Sequence, residues 1–259
     1  MSRDELILSY PVSTSTREEC IDAMIGWLDS EQKGRYFVCA NPHSLEVARR
    51  DTVFDRALRS AALIIPDGVG ILVASRVLGG DIGRRITGMD IFLGLSSELN
   101  KRTGCRYFFL GSTAQNLAKL MDKLNAEFPN IAVAGTYAPP FKDEFSEEDG
   151  RLMADAINEA DPDVLWVGMT APKQEKWIYR ERFRLNVKVI GAVGAVFDFY
   201  SGAIKRPHPF FQRTGLEWSA RLLREPRRLW RRNLVSAPLF LLRVIQCRLA
   251  TRCRTGNRT

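Results

Sequence analysis

Six short runs of aliphatic, β-branched and aromatic residues alternate with longer amphipathic stretches, and this alternation constrains the fold more than any other feature. The runs are too short for helices, so they predict buried strands. They are Tyr36–Ala40, Leu63–Pro66, Tyr107–Leu110, Ile131–Ala134, Val164–Val167 and Val187–Ala192. The stretches with helical periodicity are Ser44–Ser60, Ala114–Phe128, Glu147–Glu159 and Lys173–Phe183. The pattern predicts an α/β fold, a Rossmann-like, mostly parallel sheet with helices on both faces.

The charge of the chain changes sign near residue 202. Residues 203–259 contain 14 Lys and Arg against two acidic residues, whereas residues 1–202 contain 24 basic and 28 acidic residues. We therefore expect an α/β body over 1–202 and a basic, amphipathic helical appendage over 203–259. Arginines interleaved with Trp and Leu suit an anionic membrane surface, and their charge alone would also suit nucleic acid. The apolar run Ser236–Ile245 favours lipid, because it is too short to span a bilayer but long enough to lie in its interface.

The N-terminus and the cysteines indicate a compartment. No basic region followed by an apolar run opens the chain, so no signal peptide is predicted. Five scattered cysteines, an odd number without metal-ligand spacing, favour free thiols in a reducing environment. We expect a cytoplasmic protein held peripherally on the inner face of the cytoplasmic membrane.

Polar and glycine-rich residues follow several of the predicted strands. Because ligands of a parallel sheet bind where the strands end, these residues are the candidates for a site. Asn41 follows the first strand, Asp67 the second and Gly111 the third, while Gln174 lies in the segment Gly168–Glu175 after a later strand. Small residues before a helix leave backbone N–H groups that suit a phosphate or diphosphate.

Asp67 and the segment Arg84–Asp90 each have an ordinary and a functional explanation. Asp67 is either a cap or turn residue, or a carboxylate that takes a proton from a hydroxyl. Asp90 either caps a helix or pairs with an arginine, whereas Arg85 can bind phosphate oxygens through its fork of donors. Asp161-Pro162-Asp163 precedes a strand, at the wrong end of the sheet for chemistry, so we interpret it as a loop. No metal site is predicted, because neither His43 nor His208 has a second ligand at metal spacing.

The order of the motifs is more specific than any one of them. NPHSLEVARRD, PDGVG, RRITGMD, FLGS, VGMTAPKQEKWI, GAVGAVFDFYSG, KRP and GLEWSARLLREPRRLWRR follow one another over about residues 38–232. In this order the chain resembles the WecG/TagA/CpsF family of bacterial glycosyltransferases (glycosyltransferase family 26). The PKQE and GLEW…EPRR segments are the most specific parts of the resemblance.

The resemblance implies an inverting transfer of a sugar from a UDP-sugar to a polyprenyl-diphosphate-linked saccharide, in cell-surface polysaccharide biosynthesis. It leaves the sugar open among N-acetylmannosamine, its uronic acid and glucose, and it leaves a homo-oligomer open. It implies no metal or other cofactor. Asp67 matches the family's catalytic base. The matching substrate-binding positions are Asn41, Arg85, Asp90, Gly111 and Gln174, and Arg221, Arg228 and Arg231 match arginines that face the membrane or a diphosphate.

Two departures from the family pattern flank the predicted pocket. Cys39 replaces a common Thr, and His43 replaces a frequent Glu, so both bear on the identity of the sugar. A third, Pro207-His208-Pro209, lies at the predicted hinge into the appendage. Two alternatives to the transferase are a nucleotide-binding, Rossmann-like oxidoreductase and a non-enzymatic module that binds an anionic surface. The first lacks GxGxxG and its acidic partner, and the Leu and Phe content of the appendage argues against nucleic acid.

Overall fold

The computed structural model describes residues 4–204, 219, 222–223 and 226–256, except for the side chains of Arg228 and of residues 251–256. Its centre is a sheet of six parallel strands in the order β4-β3-β8-β7-β5-β6. These strands are β3 (Arg35–Ala40), β4 (Leu63–Pro66), β5 (Cys105–Gly111), β6 (Ile131–Tyr137), β7 (Val164–Gly168) and β8 (Val189–Ala192). All six predicted strands are confirmed, with β8 beginning two residues later than expected. A short antiparallel hairpin, β1 (Asp4–Ile7) and β2 (Tyr10–Ser13), precedes the sheet and was not predicted.

Helices cover both faces of the sheet, as predicted. On one face lie α2 (Pro42–Ala48), α3 (Thr52–Arg59), α4 (Val69–Leu78), α7 (Glu147–Ala160) and α8 (Lys173–Glu181). On the other lie α1 (Arg17–Leu28), α5 (Gly88–Leu99), α6 (Ala114–Glu127) and α9 (Val196–Tyr200). Trp166 on β7 is fully buried and meets the rings of Phe37, Tyr107 and Phe92 edge-on. This geometry stabilises the core beyond the effect of the buried area alone.

The prediction of one helix over Ser44–Ser60 was wrong, because the chain forms α2 and α3 there instead. The break lies at Asp51, whose carboxylate accepts hydrogen bonds from the backbone N–H groups of Val53 and Phe54. A carboxylate that bonds the second and third N–H groups of a helix specifies a new start. The break matters for the site, because it keeps α2 short behind Asn41.

The C-terminal segment folds back on the body. It contains α10 (Pro226–Trp230), a π-helical turn (Arg231–Ser236) and α11 (Ala237–Gly256). Phe240 and Val244 of α11 are fully buried. Arg243 forms an ion pair with the buried Glu46 of α2 at 3.0 Å, and Arg248 donates to the carbonyl of Leu78 at the end of α4. The last helix is therefore docked on α2 and α4, the two helices that begin at the Asn41 and Asp67 loops.

The outer side of this helix is apolar and exposed. Leu242, Ile245 and Leu249 of α11 each expose about half of their surface, and Leu234 of the preceding π-helical turn exposes 60%. By length and composition, Arg231–Ala250 is apolar enough to cross a membrane, although Phe240 and Val244 within it are buried against the body. The apolar run Ser236–Ile245, which by itself is too short to span a bilayer, is therefore part of a longer apolar segment. The π-helical turn extends this run on its N-terminal side and α11 extends it on its C-terminal side, which adds the residues that the sequence pattern alone did not join to it.

Candidate active site

The loops after β3 and β4 meet at the carboxyl edge of the sheet. Asn41 is the N-cap of α2, and its side-chain oxygen accepts hydrogen bonds from the N–H groups of His43 and Ser44, both at 3.1 Å. This use of the oxygen leaves the amide nitrogen of Asn41 for a ligand. The Asp67 backbone N–H donates to the carbonyl of Ala40 at 2.8 Å, which ties the second loop to the first.

Asp67 is half-buried at this junction. It is not the cap of the next helix: Gly68 is the N-cap of α4, with φ +115°, and no side chain caps that helix end. A Cβ added to Gly70 would lie 2.4 Å from Cγ of Pro42, so only glycine lets the two loops approach this closely. The ordinary explanation of Asp67 as a capping residue is therefore wrong. Its carboxylate lies instead on the edge where substrates of a parallel sheet bind.

Arg85 is brought beside Asp67 by the backbone. The Ile86 N–H donates to the carbonyl of Pro66 at 2.9 Å, so the residues flanking this bond, Arg85 and Asp67, are neighbours across it. Arg85 is half-buried, which suits a guanidinium that binds an anion at an edge. The structure thus places the predicted base and the predicted cation on adjacent loops.

Asp90 takes the ordinary role considered for it. Its Oδ2 accepts from the backbone N–H of Thr87 at 2.8 Å and from the Thr87 hydroxyl at 2.7 Å, and Thr87 in turn caps the Asp90 N–H. This reciprocal capping box fixes the start of α5. A substrate role for Asp90 stays a prediction and would have to use its other oxygen.

Gly111 ends β5 where two strands come very close. Its φ is +124°, and an added Cβ would lie 2.4 Å from the carbonyl oxygen of Gly168. The backbone at this position therefore tolerates no side chain. Just beyond it, the Asn116 amide donates to Ser112 Oγ at 2.8 Å and to Asp198 Oδ1 at 2.9 Å. Sequence analysis missed this polar cluster, since Asn116 and Asp198 are 82 residues apart.

Gln174 joins the loops that follow β7 and β8. Its side-chain oxygen accepts from the N–H groups of Met169 at 3.2 Å and Gly194 at 3.0 Å, and its amide donates to Glu175 Oε1 at 2.8 Å. The substrate-binding role of Gln174 stays a prediction, and these contacts limit the groups that it can offer to a ligand. Both acceptor positions of the oxygen are used by the backbone, so one N–H at most is left for a ligand.

Glu175 is a buried carboxyl group that sequence analysis did not single out, although it lies within PKQE. It exposes 3% of its surface, and its Oε2 has no hydrogen-bond partner among the residues that the structure describes. Burial raises the pKa of Glu175 to about 7, against the lowering effect of the Gln174 amide. A sizeable share of this carboxyl group is therefore protonated at neutral pH.

The two departures from the family pattern lie beside these loops. Cys39 donates from Sγ to the carbonyl of Ala192 at 3.7 Å, and burial, then the charges of Asp67 and Glu175, raise the pKa of its thiol. A neutral thiol is a weak donor and a poor nucleophile. His43 Nδ1 lies 2.9 Å from Oγ of Ser236, so this residue faces the C-terminal segment. Burial, then the charge of Arg232, lower the pKa of His43, which favours neutral imidazole.

Of the three arginines expected in the appendage, one can be located. Arg221 and the side chain of Arg228 lie outside the described residues. Arg231 is exposed, with its guanidinium carbon 5.3 Å from the ring centre of Trp230. It therefore lies on the outer side of the segment.

The acidic residues before β7 have a structural role. Asp161 ends α7 in a left-handed conformation, and Asp163 Oδ2 accepts from the Arg106 N–H at 2.8 Å. They lie at the amino ends of β5 and β7, opposite the candidate site, which confirms their interpretation as a loop. Across residues 4–204 and the described C-terminal residues, no three His, Cys, Asp or Glu side chains form a group that could hold a metal ion.

An acid and an arginine on adjacent loops, at the carboxyl edge of a parallel sheet, are groups that a transfer from a phosphorylated substrate would use. The family model "Glycosyl transferase WecG/TagA/CpsF family" matches residues 6–254, and the chain belongs to that family. It is a glycosyltransferase, as the order of its motifs indicates.

Two relatives named N-acetylglucosaminyldiphosphoundecaprenol N-acetyl-beta-D-mannosaminyltransferase are more than 30% identical to the chain. The protein of Bacillus spizizenii is 34% identical over 216 residues, which cover 83% of this chain and 80% of the relative. That of Bacillus subtilis is 31% identical over 242 residues, covering 93% and 91%. A protein of the same name from Staphylococcus aureus strain MW2 is 26% identical over 213 residues, covering 82% and 80%.

Proposed function

We propose that the chain transfers N-acetylmannosamine, with inversion, from its UDP-linked form to an N-acetylglucosaminyl-diphosphate polyprenol on the inner face of the cytoplasmic membrane. The names of its relatives support the sugar and the acceptor. The observation that carries the chemistry is the position of Asp67, half-buried at the sheet edge beside Arg85. The product would serve the synthesis of a cell-surface polysaccharide.

Asp67 acts as the general base in this proposal. A sugar hydroxyl is almost entirely neutral at pH 7, so its attack on the anomeric carbon is aided by a carboxylate that takes its proton. As the new O–C1 bond forms, the bond from C1 to the diphosphate oxygen breaks, and UDP leaves with that electron pair. Direct displacement from the opposite face inverts the anomeric centre and needs one carboxylate.

Cations stabilise the leaving diphosphate. Arg85 lies beside Asp67 and can donate two parallel hydrogen bonds to phosphate oxygens. We propose that arginines, without a metal ion, meet the charge that develops on UDP. Loss of activity in wild-type enzyme treated with EDTA, with recovery on adding Mg²⁺ or Mn²⁺, would contradict this part of the proposal.

The exposed apolar side of α11 supports attachment to a membrane. Arginines beside Leu234, Leu242, Ile245 and Leu249 match a surface in which the apolar side chains enter the interface and the cations meet anionic headgroups. Because the acceptor is anchored in the bilayer, attachment brings the sheet edge to its substrate. Phe240 and Val244 hold the opposite side of the helix to the body, which favours a peripheral helix over a spanning one.

The test is release of UDP from UDP-ManNAc, UDP-ManNAcA, UDP-Glc and UDP-GlcNAc, with and without a short-chain prenyl-diphosphate-GlcNAc acceptor. We expect release from UDP-ManNAc that depends on the acceptor. Preference for a different donor would correct the sugar and keep the reaction. No acceptor-dependent release from any donor would overturn the proposed function.

A further inference from the structure

Arg232 differs from the other C-terminal arginines whose side chains the structure describes. Arg243 is paired with Glu46, and Arg248 donates to the Leu78 carbonyl. Arg231 is exposed over the ring of Trp230, and Arg227 is exposed on α10. Arg232 is half-buried, and within the described part of the chain its guanidinium forms no hydrogen bond or ion pair. A partly desolvated guanidinium without an acceptor is costly, so this one calls for an anion.

The π-helical turn holds Arg232 towards the body. Ser236 lies four residues later and therefore on nearly the same side of the turn. Its hydroxyl meets His43 Nδ1 at 2.9 Å, at the start of α2. This contact directs that side of the turn to the loop that follows β3. Adjacent residues of a π-helical turn point roughly 80–90° apart, so Arg231 does not share the direction of Arg232.

Electrostatic effects put the guanidinium near the candidate active site. The charge of Arg232 contributes to lowering the pKa of both His43 and Cys39. The charge of Asp67 acts on the same Cys39 thiol in the opposite direction. Arg232 and Asp67 therefore lie close enough to one thiol, at the end of β3, for both charges to affect it.

We propose that Arg232 binds the diphosphate of a substrate at this edge of the sheet, so that the π-helical turn completes the active site. The inference rests on the proposed function, because a sugar transfer of this kind brings two diphosphates to the edge, one in the donor and one in the acceptor. The planar guanidinium presents two parallel N–H donors to two phosphate oxygens, a fixed geometry that the ammonium group of lysine lacks. The residue is an addition to Arg221, Arg228 and Arg231, the positions expected from sequence.

The experiment compares Arg232→Gln and Arg232→Lys with Arg227→Gln, which removes the same charge from an exposed site in the same segment. The full-length protein is used, and equal thermal melting of the variants and wild type shows that each one folds. Titration calorimetry with UDP and with inorganic pyrophosphate measures binding without turnover. Steady-state assays measure the KM of donor and acceptor separately, with the acceptor in detergent so that attachment to vesicles does not limit the rate.

In Arg232→Gln, the loss of two hydrogen bonds to a charged group should weaken binding of the affected substrate 10- to 100-fold. Arg232→Lys should recover part of this loss, and Arg227→Gln should stay within twofold of wild type. Weaker UDP binding with a higher donor KM would assign the donor diphosphate, and a higher acceptor KM with unchanged UDP binding would assign that of the acceptor.

The inference is overturned if Arg232→Gln matches Arg227→Gln in UDP affinity and in both KM values. Failure of the inference about Arg232 can be distinguished from failure of the proposed function. If wild type releases no UDP from any donor, the proposed reaction fails, and calorimetry still tests Arg232. Equal pyrophosphate and UDP affinity in wild type and Arg232→Gln would then overturn the inference as well.

Discussion

The buried carboxyl group of Glu175 gives a quantitative prediction about stability. Its pKa is about 7 in the folded protein, because burial penalises the charged form, against 4.5 for an unperturbed glutamate. The folded protein therefore binds this proton more tightly than the unfolded chain does. The stability that it contributes is fully present below pH 4.5, decreases as the pH rises through 7, and is absent above. A difference of about 2.5 pKa units corresponds to about 3 kcal/mol in total.

Glu175→Gln removes this dependence on pH. Glutamine keeps the shape and an oxygen that can accept the Gln174 amide hydrogen, but it has no proton to lose. The free energy of unfolding of the variant, relative to wild type, should increase by about 2 to 3 kcal/mol between pH 5 and pH 8. The relative value isolates Glu175, because all other titrating groups are common to both proteins.

Urea unfolding followed by tryptophan fluorescence, at one-unit steps from pH 5 to pH 8, measures this difference. Glu159→Gln, at an exposed position of α7, is the matched control and should run parallel to wild type. Curves for Glu175→Gln and wild type that stay parallel within about 0.5 kcal/mol would refute the argument that burial holds a proton on this residue.

Three further predictions concern the loops, the last helix and the membrane. Gly111→Ala should lower the melting temperature by several degrees, because its Cβ would meet the Gly168 carbonyl and its φ is unfavourable; Gly83→Ala, where nothing lies within 4 Å, is the control, and equal melting would contradict the account. Glu46→Gln should increase hydrogen exchange in α11, because it weakens the ion pair with Arg243. The double variant Glu46→Gln, Arg243→Gln should show little more exchange than the single variant, and unchanged protection in the single variant would show that the pair does not hold the helix. Leu242→Asp should reduce binding to anionic vesicles about tenfold or more while leaving UDP affinity in solution unchanged, and full binding would exclude the outer side of α11 as the membrane surface.

The sheet could be predicted from sequence because most of its strands, though not the edge strand β6, are buried on both faces. Each is then apolar throughout and stands out from the amphipathic helices, as Val164–Gly168 does. The break between α2 and α3 was missed, since Asp51 ends a periodic pattern without Gly or Pro. The hairpin β1–β2 was missed as well, because its strands, DELI and YPVS, mix polar with apolar residues and form no continuous apolar run.

Sequence predicts those parts of the candidate site that depend only on which residues follow each strand. Asp67 follows a strand, so its position at the carboxyl edge follows from the topology alone. The hydrogen bonds of Gln174 and the burial of Glu175 depend on how two loops meet, and no local pattern encodes that contact. The same is true of Arg232, whose place depends on the docking of the last helix against α2. The sequence analysis assigned the neighbouring Arg231 instead of Arg232, because only the family pattern distinguished the two arginines.

The central claim is that Asp67 is the base of an acceptor-dependent sugar transfer. The most direct test is single-turnover UDP release by Asp67→Asn with saturating donor and acceptor, together with UDP binding by calorimetry. The account predicts that the rate falls 100-fold or more while UDP affinity changes less than threefold, because the amide keeps the shape of the loop but cannot take a proton. A rate within tenfold of wild type, with UDP affinity preserved, would contradict the role assigned to Asp67.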